Sequence, residues 1–215
     1  TYASPLLIGG PMLPQAAHND KSAARCYHRA TSAPGGNPIE LRRPPLAIVL
    51  VAVLVMALGE TGGAAMSQLR PSIDRYATAR VNANREAHGI SGSAEYDDEV
   101  RSRAVYSAEA GLSFFHTHAE GLGLILFFTS TLVASVVAGR RVRAALYAIL
   151  TAGSLFPLGY LVYGAGALEL GREAGIELAE RWVLTPLGSA AIAGLTALAV
   201  CLAARARAAS RPSPP

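Results

Sequence analysis

The sequence predicts an all-α integral membrane protein: a bundle of four transmembrane helices with a short helical cap on its extracytoplasmic side. Three observations predict it. Of the 215 residues, 51% are hydrophobic and only 16% are charged, against about 25% charged in a soluble domain. The charges gather in residues 67–110, 140–143 and 169–181 and in the two tails. Between them lie four apolar stretches, each close to the ~20 residues a helix needs to cross a bilayer.

Residues 1–43 open on Thr1, are rich in Pro, Gly, Ala and Ser, and show no periodic apolar pattern. They read as a disordered tail. Residues 44–66 form the first span. Its uninterrupted apolar run is Leu46–Gly59, and continuing through Glu60 to Met66 reaches spanning length with one carboxylate inside. The alternative is a cleaved leader, in which arginines precede a short apolar core and small residues. In residues 67–110 six arginines face seven acids, the run Asp97-Asp98-Glu99 among them. Pro71 suits the first turn of a helix through Ser72–Ala87, with Gly89 and Gly92 ending it. A second helix begins near Ala94 and runs on into the next span. The segment is too short for a core of its own, so it reads as an extracytoplasmic cap.

Residues 111–204 carry spans two to four. Leu112–Ala138 is stopped by Gly139 and followed by Arg140, Arg141 and Arg143. The third span runs from Ala144 to about Gly166 with Pro157 inside it, as membrane helices tolerate. The fourth runs from Thr185 to about Ala204, with Thr185 as N-cap and Pro186 as first helical residue. Residues 205–215 form a tail with Arg205, Arg207 and Arg211. With four spans, every arginine-rich flank falls on one side, which the positive-inside rule makes cytoplasmic. Both termini then lie in the cytoplasm of a bacterium, the protein in its inner membrane, and segments 67–110 and 167–183 face outward.

The formal charge of +4 is accounted for by this topology. No basic patch is interleaved with aromatics, so nucleic acid is not an expected partner. Cys26 lies in the polar tail and Cys201 in an apolar helix, and no CxxC pair points to zinc. There is no Gly-rich phosphate loop and no G-x-S-x-G, so no class of enzyme is indicated. The expected partners are the lipid bilayer and other membrane subunits or a second copy of the chain.

The candidate site is His116-Thr117-His118-Ala119-Glu120-Gly121, at the mouth of the longest apolar stretch. Ionisable groups inside a membrane are costly and mark functional sites. His116 and His118 lie about 6–9 Å below the outer end of span two, and Glu60 lies about 9 Å inside span one. Tyr160, Tyr163, Thr185 and Ser189 fall in the same layer. His116 and Glu120, four residues apart, sit about 40° apart and share a face with Glu109, while His118 lies about 200° away. The two imidazoles therefore cannot grip one ion. Three readings follow: a metal held by His116, Glu120 and Glu60; a haem with His118 as axial ligand; a proton or hydrogen-bond relay. Beside them stands a structural reading, in which the groups only join neighbouring helices. Tyr147, Thr151 and Ser154, and the Ala190/Gly194 pair, suit helix packing. Trp182, Tyr160 and Tyr163 suit an outer aromatic belt, and His88 a solvated position.

The run Phe115-His116-Thr117-His118-Ala119-Glu120-Gly121-Leu122-Gly123 resembles bacterial multi-pass membrane protein families of unassigned activity, in which an H-x-H followed by Leu and Gly opens a transmembrane helix. Phe156-Pro157-Leu158-Gly159-Tyr160 is similar to the same group, and the resemblance spans residues 106–204. Such helices are compared with the histidine-bearing helices of haem-copper oxidase subunits. The resemblance implies a polytopic membrane protein with a haem- or metal-binding histidine at His116 or His118. The functional expectation is a small inner-membrane protein holding haem or a transition metal near the outer face. The runner-up is an accessory subunit without a cofactor.

Overall fold

The computed structural model describes residues 41–210, and all its regular elements are helical. They are α1 (Leu46–Ala83), α2 (Ala94–Val136), α3 (Arg140–Ser154), α4 (Leu158–Glu169), α5 (Arg172–Ala179) and α6 (Thr185–Ala209). A short break joins α3 to α4, and a π-helical turn, Glu180–Leu184, joins α5 to α6. The result is four long helical units, each long and apolar enough to cross a membrane. The protein is an all-α, membrane-spanning four-helix bundle. The expectation for the N-terminal tail lies outside the described residues, except at residues 41–43.

Three departures from expectation come from tertiary packing. Pro71 does not open a new helix; it lies inside α1, which runs unbroken for 38 residues. Its missing N–H leaves one carbonyl unpaired on the exposed side, while Ala77 and Val81 beyond it are buried against Ala104 and Leu168. That packing carries the helix through the proline. Span and cap are one rod, ending at Ala83 rather than at the glycines. Gly89 and Gly92 instead shape the following turn, with φ of +66° and +101°.

Pro157 does more than kink its helix. Leu155 and Phe156 donate to Ala152 and Gly153, and Gly159 and Tyr160 to Phe156 and Pro157. The chain thus tightens into i→i−3 turns where the proline cannot donate. Pro186 acts differently. Thr185 is not an N-cap, because the Thr185 N–H reaches back five residues to the Glu180 carbonyl. This π turn widens the helix just before the proline and leads α5 into α6 without an end.

The bundle packs in layers along its axis. At the arginine-bearing end Ala52, Leu126, Val133, Leu146, Leu150 and Leu198 form one core. Val55, Phe115 and Ala119 form a second in the middle. Ala77, Val81, Ala104 and Leu168 form a third at the cap end. Of the expected polar stripe on α3, Tyr147 OH donates across to the Ser130 carbonyl of α2 at 3.4 Å, Ser154 donates to the Thr151 carbonyl of its own helix at 2.7 Å, and Thr151 Oγ1 is buried without a hydrogen-bond partner among the described residues. Gly194 packs on Leu150, while Gly153 meets Ala191 rather than Ala190.

The cap is tied to the end of α4 by polar groups. Arg80 donates from both Nε and Nη2 to the Glu169 carboxylate, and Asn84 Nδ2 donates to Glu169 Oε2 at 3.0 Å. His88 is buried, not solvated, and its Nε2–H donates to the Leu168 carbonyl at 3.0 Å. Its neighbours Arg85, Glu86 and Gly89 suggest a solvated turn; only the arrival of α4 supplies the acceptor.

Candidate functional site

The site forms where α1 and α2 cross. Gly59 and Gly63 lie one turn apart on α1, so this face has no side chains and α2 can approach it. A Cβ on Gly59 would lie 2.9 Å from the Ala119 Cβ. His116 fills the space that remains. A Cβ on Gly63 would lie 2.6 Å from Cε1, 2.7 Å from Nδ1 and 2.9 Å from Nε2 of His116. The nitrogen-bearing edge of the imidazole therefore rests on the glycine backbone.

The hydrogen bonds select the tautomer of this ring. Nδ1 lies 3.0 Å from the Gly59 carbonyl and 2.8 Å from Glu120 Oε1. The carbonyl can only accept, so Nδ1 carries the proton and donates it to Gly59, with the Glu120 carboxylate beside the same nitrogen as a charge contact. Nε2 has no hydrogen-bond partner among the described residues and is not a sealed buried atom. It is the ring's available nitrogen. An imidazole tied at Nδ1 by a carbonyl and a carboxylate is the arrangement that orients a ligating histidine.

His116 lines a cavity of about 680 Å³ between α1 and α2, within the range of small-molecule and cofactor sites. Glu60, Gly63, Ser67 and Arg70 form one wall, and Tyr106, Glu109, Leu112 and Phe114 the other. Arg70 Nε bridges the walls to Glu109 Oε1 at 3.2 Å. The cavity thus runs from the polar cap down into the apolar layer. It narrows the sequence expectation in a specific way. His116, Glu60 and Glu109 do come to one cleft, and His116 meets Glu120.

They do not make a metal site of three protein ligands. Among the described residues no three His, Cys, Asp or Glu side chains converge to hold an ion. Glu120 is spent on the Nδ1 side of His116 and does not line the cavity. Of the expected His116/Glu120/Glu60 set, Glu120 lies against the Nδ1 side of His116 and Glu60 lines the facing wall of the cleft.

His118 lies on another side of α2, as its angular offset requires. Its Nδ1–H donates to the Phe114 carbonyl of its own helix at 2.8 Å. Its ring packs at 4.9 Å from Tyr160, 5.9 Å from Phe156 and 6.3 Å from Phe114, between centroids. It does not line the cavity. Tyr160 thus packs inward rather than standing in an aromatic belt. Thr185 and Ser189 stay exposed and add nothing to the cleft.

Sequence reasoning missed Gly63, Arg70 and Tyr106. The glycines 59, 62 and 63 in one apolar run were the available signal, since small residues mark where membrane helices approach closely. Arg70 and Tyr106 could not be placed without knowing that α1 continues past Pro71. The chain matches no family model, no curated protein and no solved structure.

Proposed function

We propose that this is a small bacterial inner-membrane protein that holds a haem-type macrocycle in the α1–α2 cleft, near the outer face, with His116 as axial ligand. The observation that carries the reading is the ring of His116: Nδ1 is committed to Gly59 and Glu120, and Nε2 is left free at a cavity of about 680 Å³. A bare transition-metal ion needs several protein ligands, whereas a haem brings its in-plane nitrogens and asks the protein for one imidazole. Arg70 at the mouth offers a cation to a carboxylate side arm. A haem at this depth suits electron exchange with a partner at the outer surface. His118, enclosed by Phe114, Phe156 and Tyr160, is a packing residue in this reading.

The test is an absorption spectrum with elemental analysis of protein purified in mild detergent from cells supplied with iron and haem. A Soret band is expected in the wild type and in His118→Phe, and its loss in His116→Ala. Stoichiometric metal without a Soret band would favour a bare ion. Wild-type protein with neither would overturn both.

A second reading has its own support. The Nδ1–H bond from His116 to the Gly59 carbonyl joins α1 to α2 without any ligand. An accessory subunit without a cofactor would need nothing more of His116. It predicts that His116→Ala lowers thermal stability and changes no spectrum.

A further inference from the structure

Among the described residues, the end of the bundle opposite the cap carries positive charge with no acidic side chain beside it. Arg42 and Arg43 precede α1, Arg140 and Arg141 open α3, and Arg205 and Arg207 close α6; all six are exposed. The fold gathers these flanks from three separate parts of the chain. The Arg42 N–H donates to Ser135 Oγ at 2.9 Å, and Arg205 Nη1 donates to the Val136 carbonyl at 3.2 Å. Both contacts converge on the end of α2, at residues five and four before Arg140 opens α3. Among the described residues none of the six forms an ion pair with a carboxylate.

Among the described residues the acids are remote. Along α1 the first is Glu60, about 20 Å from Leu46, and along α2 the last is Glu120, about 24 Å before Val136. Each distance is about two and a half to three times the Debye length at physiological salt. Arg140, Arg141, Arg205 and Arg207 have no acid near them among the described residues, and Glu40 is the acid nearest Arg42 and Arg43 in sequence.

The apolar neighbours indicate what supplies a counter-charge to these arginines. Leu46, 81% exposed, follows Arg42 and Arg43, and Val142, 51% exposed, follows Arg141. A soluble polyanion would leave these side chains in water. A lipid covers both, with its phosphate on guanidinium and its chains on leucine and valine.

We infer that this end binds the phosphate head groups of anionic phospholipids, with Arg140 and Arg141 at the α2–α3 corner as principal contacts. It shares with the haem reading only the placement in a membrane. Guanidinium groups match phosphate oxygens in a bidentate manner. Near an anionic surface each arginine contributes about fivefold in lipid affinity.

The test is lipid titration of the full chain in a neutral detergent, read by native mass spectrometry, with phosphatidylglycerol against phosphatidylcholine. Tighter retention of phosphatidylglycerol is expected, weakened about twentyfold in R140Q/R141Q. If that variant fails to fold, R42Q/R43Q serves, with a similar loss. Any Soret band should be unchanged in both, because His116 lies about 30 Å along α2 from its end at Val136, so failure here and failure of the haem reading are separate results. Equal retention of the two lipids would overturn the inference. So would undiminished phosphatidylglycerol binding in a folded variant, or complete displacement of that lipid by heparin.

Discussion

The imidazole of His116 rests edge-on against the backbone of Gly63, so close that a Cβ there would lie 2.6 Å from Cε1. The glycine is the seat of the histidine. Gly63→Ala should push the ring away, break the Nδ1–H bond to Gly59 and abolish ligand binding. Overpacking of this kind costs about 1–3 kcal/mol. Unfolding in detergent and the absorption spectrum check both effects; an unchanged spectrum in a variant that retains haem elsewhere would remove Gly63 from the site.

Glu120 holds His116 from behind, on the proton-bearing nitrogen. Glu120→Gln keeps an acceptor oxygen but no charge. If His116 binds haem, the variant should retain a Soret band while its reduction potential rises, because a less basic imidazole donates less to the iron. Redox titration measures this. In the cofactor-free reading Glu120→Gln changes thermal stability alone.

Asp97 is 3% exposed, and its two oxygens accept from the Ser91 and Gly92 N–H groups at 3.0 and 2.9 Å. Asp97→Ala would leave two backbone donors unpaired in the turn between α1 and α2. The expected loss is about 1–3 kcal/mol, readable by denaturant unfolding. Asp98→Ala, on the exposed neighbour, should be close to neutral. Equal effects would mean that the run acts only as net charge.

Glu169 lies at the cap, beyond the apolar part of its helix. Its hydrogen bonds from Arg80, reinforced by Asn84 and opposed by desolvation, hold its carboxyl below the usual glutamate value. The native state thus favours the charged form more than the unfolded state does. The contribution of this pair is fully present above about pH 4.3, the unfolded value, and is lost as pH falls through the lower native value. Opening of the α1–α4 junction, read as amide exchange corrected for its intrinsic pH dependence, should rise in acid for the wild type. In Glu169→Gln it should already be raised at neutral pH and vary less with acid; a wild-type profile in that variant would exclude the pair as the cause.

Trp182 is the chain's single tryptophan, is 67% exposed and lies under the Arg181 guanidinium at 5.6 Å. It stands at the cap end of the bundle, where an amphipathic ring suits the head-group layer. Lipids with a quencher at head-group depth should reduce its fluorescence more than lipids labelled at the chain ends. The reverse order would place this end of α6 deep in the bilayer.

Much of the architecture was legible because it depends on composition along the chain. Four apolar stretches of spanning length predict four helices whatever their neighbours, since lipid admits no unpaired backbone. The His116/Glu120 contact was legible too, because residues four apart on a helix share a face. The same periodicity separated His118 from His116. Element ends were less legible: Pro71, Thr185 and the Gly89/Gly92 turn all follow local rules that packing overrode.

By itself, then, the sequence determined the helical class, the number of long apolar helices, the uneven placement of charge and the angular relation of His116, His118 and Glu120. These are properties of one segment at a time. Only the tertiary structure decided that Gly63 seats His116, that Gly59 accepts its Nδ1–H, that His88 is buried on Leu168, and that Glu60, Arg70 and Glu109 share a cleft. Each of these joins residues far apart in the chain. Their proximity depends on how closely two helices approach, and the shape of both surfaces sets that distance.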